Sequence, residues 1–468
     1  MQRYITILYH LLFAGLLLTG FTACNKLLEV PPPPNELGID QAFGDSASAV
    51  AAVSGIYNQM GSNGYFQCGG LSFFTARSAD DVICRQILDY FALDSLLYTD
   101  TEIDYMWDEG FTCLLTANTC IRALQSTTRL STPLQHQLLG ETLFCRAFIN
   151  FLLVNIWGDA VPLVTTPDLQ ANRNAKSVPR QQVYDQILAD LLQARELLTN
   201  AYPGKSRARP NRMAANALLA RVYLYQNRYA DAIDQATSVI ASNLYLPLPT
   251  PVSAFLKDSP EAIWQLMPSV GSGVSGAVAD VVLYQRSATS LTPQLLAAFE
   301  PGDLRRQAWV VNNVFSGSTY TTANKYKDKG ATGNTNPTEY YIIFRLAEQY
   351  LIRAEAHVRL GETQAAIDDL NVVRARAGLP ALLTTLTQQE CMSAVEHERQ
   401  VELFSEWGHR WLDLRRWPGI NNPNITRADE VLGAIKRDWQ PTDQWYPVPR
   451  SELQANQFLV QNPGYPIK

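Results

Sequence analysis

Residues 211–243, NRMAANALLARVYLYQNRYADAIDQATSVIASN, carry apolar side chains at three- and four-residue intervals on two runs separated by a short polar break. That period is the mark of two amphipathic helices folded back on each other. Ala220 and Tyr223 on the first run face Ala232, Ala236 and Val239 on the second. Small residues at such positions let two backbones approach, and the tyrosine fills the space beside the crossing. The arrangement returns in residues 350–380 with Ala354, His357, Ala366, Leu370 and Val373. Ala232 and Ala366 are 134 residues apart (366 − 232), so a large piece is inserted between the two hairpins.

Both hairpins resemble the tetratricopeptide repeat, a helix pair of roughly 34 residues. Segments 107–124, 135–155, 182–200 and 388–407 share the helical period and are expected to partner them. A single hairpin cannot bury its own apolar face, which implies about four of them stacked as an irregular superhelix. The expected fold is therefore mainly α. Helical scaffold would occupy about 102–243 and 338–417, followed by a C-terminal segment, 418–468. Two regions, about 61–101 and 244–337, break the period. The second is rich in Pro, Gly, Ser, Thr and Asn, with short strand-like pieces such as AIWQLMP and NKYKDK. Loops this long are usually functional, so these regions are expected to form a loop-rich ligand-binding subdomain.

The N-terminus has a different pattern. Arg3 precedes an apolar run that ends near Thr19, too short for the roughly 20 residues of a spanning helix and suited to a secretion signal. Thr22 and Ala23 lead into Cys24, which resembles the lipobox of bacterial lipoproteins, although Phe21 stands where that pattern prefers leucine. The reading is a signal peptide over 1–23, a lipidated Cys24 with a proline-rich tether over 24–36, and one body over 37–468. Pro31 to Pro34 favour a stiff extended rod, a spacer between lipid and protein. No second apolar run is expected to span a bilayer. Removing residues 1–23 takes Arg3 with it and moves the formal charge from −6 to −7. Acids and bases are interspersed, which argues against a nucleic-acid partner. Of the remaining cysteines, Cys113 and Cys120 sit on one helix face beyond bridging range, while Cys68 and Cys84 are able to pair. No Cys or His cluster has zinc spacing, so neither metal nor cofactor is expected.

Candidate chemistry is sparse. GSGVSG, residues 271–276, fits a dinucleotide fingerprint in letters but lacks the strand–turn–helix context, and reads as a loop. Glu398, Glu402 and Glu406 fall at i, i+4 and i+8 of one expected helix face, with Arg399, Arg410, Asp413, Arg415 and Arg416 close by. Matched charges interleaved with tryptophans point to an ion-pair network that clamps a helix end. Aromatic residues offer the better ligand signal, because a ring can stack on the apolar face of a sugar while polar neighbours bond its hydroxyls. Phe66, Phe74, Arg77, Asp80 and Tyr90 in the first irregular region, and Tyr284, Trp309 and Tyr320 in the second, are the ligand-binding candidates.

Several segments together resemble the SusD/RagB family of surface glycan-binding lipoproteins. CNKLLEVPP follows the lipobox, and YMWDEGFTCLLTANTCIRAL matches through Trp107 and Asn118. GETLFCRAFINFLLVNIWGDAVPLV matches through Glu141, Arg146, Ala147, Gly158, Pro162 and Leu163. RLAEQYLIRAEA precedes ERQVELFSEWGHRWLDLRRW, which matches through Glu398, Arg399, Glu402, Gly408, Arg410, Asp413, Leu414, Arg416 and Trp417. YPVPRSEL and QNPGY complete the order. The resemblance implies a non-enzymatic protein on the outer membrane, facing outward, and a TonB-dependent SusC-like transporter over which it sits as a lid. An oligosaccharide is the expected cargo. Two alternatives remain: peptide cargo, as the RagB branch allows, and a surface glycosidase using carboxylates such as Asp80 and Glu300.

Overall fold

The computed structural model describes residues 39–466 apart from 67, 86–87, 205, 269–275, 286–287 and 331–335, together with Ile5. The expected signal segment (Ile5 excepted), Cys24, the prolines and most of GSGVSG lie outside the described residues.

After a single helical turn at Ile39–Ala42 comes α1 (Ser46–Gly61), whose N-terminus is capped by Asp45: its carboxylate accepts from the backbone N–H of Ala47 at 2.8 Å and Ser48 at 2.9 Å. Then follow α2 (Gly70–Ser78), β1 (Val82–Cys84), α3 (Thr101–Ser126), α4 (Thr132–Trp157), α5 (Arg180–Leu197), α6 (Arg212–Tyr225) and α7 (Tyr229–Ala241). The inserted piece holds β2 (Ala262–Leu266), α8 (Ala277–Gln285), β3 (Thr289–Leu291), β4 (Val310–Phe315), β5 (Ser318–Ala323) and β6 (Tyr341–Arg345). The chain re-enters the scaffold through α9 (Leu346–Arg359), α10 (Thr363–Arg376), α11 (Gln388–Leu403), α12 (His409–Arg416) and α13 (Arg427–Ile435).

The scaffold helices pack in series: α3 on α4, α4 on α5, α5 on α6, α6 on α7, α7 on α9, and α9 on both α10 and α11. Helices α7 and α9 touch although residues 242–345 separate them, so the insertion leaves and returns at a junction between hairpins. The small residues at both crossings, Ala220, Ala232, Ala236, Ala354 and Ala366, are fully buried. Helix α4 is long and apolar enough to cross a membrane by composition alone, contrary to the expectation of no second such run. It is buried continuously from Leu138 to Trp157 and forms the centre of the core.

Three further expectations are corrected. The region from 61 to 101 contains α2, every residue of which is buried; a helix covered on all sides has no apolar stripe to read. NKYKDK is not a strand. Its backbone is held instead by Glu339, which accepts from the N–H groups of Lys327 and Asp328 at 2.7 Å each. AIWQLMP does contain a strand, β2, and the hairpin just before NKYKDK is β4 and β5, joined at Ser316 and Gly317 with φ of 48° and 79°, as a tight right-twisted hairpin needs. Finally, Glu406 does not continue the face of Glu398 and Glu402, because α11 ends at Leu403. Ser405, Trp407 and Gly408 take positive φ and turn the chain into α12. Cys68 and Cys84 are free thiols.

Candidate ligand-binding face

Helix α3 starts with Glu102 and Asp104 in its first turn, where carboxylates complement the helix dipole. Tyr105 projects from its outer side, opposite the buried Ile103, Met106, Trp107 and Gly110, and is 48% exposed. Tyr65 stacks on it with ring centroids 5.2 Å apart and planes at 23°. Behind Tyr65 lies Phe74, at 5.6 Å and 19°, and then Phe91, 4.7 Å from Phe74. An aromatic stack thus runs from solvent into the core. The Arg77 guanidinium lies 4.9, 5.5 and 5.1 Å from the Phe73, Phe74 and Phe91 rings. Asp89 fixes that arginine at 2.8 and 2.5 Å and also accepts from the Cys84 N–H, so it holds the loop as well. Glu109 accepts from the Phe66 N–H at 2.8 Å and pins the segment carrying Tyr65. Burial, then the Glu102 carboxylate, raises the Tyr65 phenol above its usual range, so it stays protonated and able to donate at neutral pH.

The predicted ligand residues divide on this geometry. Phe74 and Arg77 come together beneath Tyr65, buried, as supports, while the buried Phe66 ring turns away into the core beside Gly110, Cys113 and Trp407. Tyr284 is buried and packs edge-on against Phe73 at 5.4 Å. Tyr90 is 42% exposed on the loop that carries Phe91. Trp309 and Tyr320 are placed elsewhere. Trp309 is wholly buried, its indole N–H donating to the Pro251 carbonyl at 2.7 Å, and Tyr320 is buried on β5. In this structure neither presents a ring to solvent. Asp80 is buried in a bidentate pair with Arg410 at 2.7 and 2.8 Å. Tyr105 was missed among the candidates; its place on the polar face of a helix, opposite the apolar stripe, was the available signal.

The late charged motif forms a buried network. Arg305 binds Asp303, Glu398 at 2.5 Å and Glu402 at 3.0 Å. Arg345 joins Glu402 and Glu406, Lys325 binds Glu406, and Arg376 binds Glu402 and, at 3.4 Å, Glu261. Burial pushes the Glu402 carboxyl up, but Arg376, Arg345 and Arg305 outweigh it and hold it far below the usual range. Nearby, Arg399 grips Asp413 at 2.7 Å, and Arg416 bridges Glu355 and Asp413 at 2.5 and 2.7 Å. The Trp417 indole N–H also donates to Glu355, at 2.7 Å. These side chains lock helix ends together and are closed to solvent. Glu300 is taken by Arg374 at 2.5 Å. With Asp80 held by Arg410, neither carboxylate of the glycosidase alternative is free to act as acid or nucleophile, and that alternative is set aside.

Two family models match separate stretches of the chain: the SusD family over residues 311–465, and a model described as starch-binding associating with outer membrane over residues 33–224. A SusD-like protein of Formosa agariphila is 24% identical over 515 aligned positions, covering 95% of this chain and 97% of its own. A crystal structure of a SusD-like protein from Bacteroides fragilis superimposes with a TM-score of 0.76 at 22% identity, over 92% of this chain and all of that one. A solved laminarin-binding SusD-like protein aligns with a TM-score of 0.74 at 25% identity, over 90% of this chain and 99% of that one. Its neighbours share the stacked tetratricopeptide-like helices described above. SusD-family proteins are non-catalytic binding proteins, in keeping with carboxylates committed to arginines. On the agreement of both models, near-full-length relatives and shared architecture, the chain belongs to the SusD/RagB family.

Proposed function

We propose that this protein is a lipid-anchored glycan-binding protein of the outer membrane that captures an oligosaccharide and hands it to a SusC-like TonB-dependent transporter. The observation that carries the binding reading is the Tyr65–Tyr105 platform: one ring half open to solvent, rigidly backed, with the Glu102, Asp108 and Glu109 carboxylates around it. A sugar lays its C–H face on such a ring and donates its hydroxyls to carboxylates. Tyr90 is assigned to the same face. Phe74 and Arg77 act as positioning residues beneath it, and the Phe66 N–H, held by Glu109, fixes the segment that carries Tyr65. The family model that names starch binding and the outer membrane supports both cargo and location, and the laminarin-binding relative supports the cargo. Acylation of Cys24 and the proline tether supply the anchor, and the transporter partnership rests on family membership.

The test is affinity electrophoresis and calorimetry of the purified protein against starch, laminarin and a panel of peptides. Retention by a glycan is expected, with Tyr105→Ala weakening it about 2- to 12-fold, as the loss of one aromatic contact worth about 0.5–1.5 kcal/mol implies. Binding of peptides alone would move the cargo to the RagB-type reading, and binding of neither would overturn the proposal.

A further inference from the structure

A concavity of 340 Å³ opens on the flank of α3, lined by Trp107, Asp108, Phe111 and Thr112 of the helix that carries Tyr105. Its floor is the Phe111 ring, half-buried, set against Trp107 at 4.7 Å and 35°. Trp107 is itself locked edge-on by Trp157 at 5.2 Å, so the floor is rigid. The rim is polar, with Asp108, Arg173 and Glu452, while Leu169, 66% exposed, forms an apolar lip. Arg173 is exposed and has no ion-pair partner among the described residues, so its guanidinium is available to a ligand. A rigid aromatic floor with acceptors and one donor around it is the composition that holds a pyranose ring. The volume lies at the low end of the roughly 300–1,000 Å³ of small-ligand sites, which suits one ring and not a folded chain.

The charge at the rim narrows the ligand. Asp104 stands at the same rim, its carboxylate accepting from the Ser451 hydroxyl next to Glu452, and burial and then the Asp104 and Asp108 carboxylates raise the Glu452 carboxyl above its usual range. An added carboxylate or sulfate would meet three acids and one arginine. The position narrows it further: Tyr105, Asp108 and Thr112 fall at i, i+3 and i+7 and form one stripe, so the rim of the groove continues from the platform. Tyr105 and Phe111 are six residues apart, about 9 Å along the axis at 1.5 Å per residue, within the reach of a short oligosaccharide.

We propose that this groove is a second subsite that takes one uncharged sugar ring of the same glycan chain that stacks on Tyr105. This rests on the glycan reading given above, and its test separates the two. Maltose, maltohexaose, laminaribiose and laminarihexaose are titrated by calorimetry into the wild-type protein, Tyr105→Ala, Arg173→Ala and Thr112→Trp; the last places a ring at the exposed rim and fills the groove. A hexasaccharide that binds the wild type is expected to lose about tenfold in affinity in Thr112→Trp and severalfold in Arg173→Ala. The matching disaccharide is expected to be unaffected by both and weakened by Tyr105→Ala. Hexasaccharide affinity within about twofold of wild type in Thr112→Trp would overturn the second subsite while leaving the platform intact. Failure of every sugar to bind the wild type would overturn the platform reading and this one together. An oligomannuronate that binds as tightly as the neutral hexasaccharides and loses affinity in Thr112→Trp would overturn the preference for an uncharged ring.

Discussion

Replacing Arg345 with Met probes whether the buried charges hold the insertion to the scaffold. Arg345 ends β6 immediately before α9, and its side chain is 2% exposed. It donates to Glu406 at 2.8 and 2.9 Å, to the Glu402 carbonyl at 2.7 Å, and to the Glu402 carboxylate. Without it, Glu402 keeps Arg305 and Arg376, but Glu406 is left with Lys325 alone. Breaking a buried pair costs about 3–5 kcal/mol, because the surviving charge stays desolvated. The two cations left on Glu402 place the expected loss near the low end, about 3 kcal/mol. Methionine retains much of the aliphatic bulk beside Phe255 and Trp309, so little of the loss comes from a cavity. Adding Glu406→Gln removes the stranded carboxylate, and the double variant is expected to be more stable than the sum of the singles predicts by at least about 1 kcal/mol. Urea unfolding at pH 7, followed by far-ultraviolet circular dichroism and tryptophan fluorescence, reads both quantities if the two probes coincide. A cost below about 1 kcal/mol for Arg345→Met, or additivity within about 0.5 kcal/mol, would refute the clamp.

Trp309→Ala should lower stability by about 3–5 kcal/mol, since it empties a fully buried site and strands the Pro251 carbonyl. Glycan affinity of the fraction that folds should stay within twofold of wild type by calorimetry; a larger loss would return Trp309 to the ligand site. Acid should weaken the Glu355–Arg416 lock. Burial raises the Glu355 carboxyl, but Arg416 and Arg399 outweigh it and set it at about 2, against 4.5 when unpaired. A depressed folded value means the contribution, about 3 kcal/mol, is complete above pH 4.5 and is lost as pH falls through about 2. Glu355→Gln should therefore be less stable at pH 7 yet lose less stability between pH 4.5 and 2.5 in urea titrations. An unchanged slope over that window would refute the assignment.

The two helical hairpins at 211–243 and 350–380 were legible because a 3.6-residue period and small residues at a crossing depend only on the chain nearby. The pairing of α7 with α9 across a 104-residue insertion was not, although the matching small faces made it possible. Helix α2 left no periodic trace, being covered on every side by segments remote in sequence. The charged run after Glu398 announced ion pairs, but its main partners, Arg305, Lys325 and Arg345, come from the insertion.

The same division runs through the candidate site. By composition, Trp309 and Tyr105 were equally eligible for a ligand; the helical period set Tyr105 on a polar face, but no comparable period surrounds Trp309 to mark it as buried. Only the tertiary structure decided that Trp309 is packed among Lys325, Arg345 and Arg376 while Tyr105 stands on Tyr65 in solvent. The sequence by itself determined the helical scaffold and the family, because these rest on short-range periodicity and on motifs in order along the chain. Which aromatic rings reach water was settled by the fold, because burial is set by contacts between residues far apart in the chain and leaves no local pattern to read.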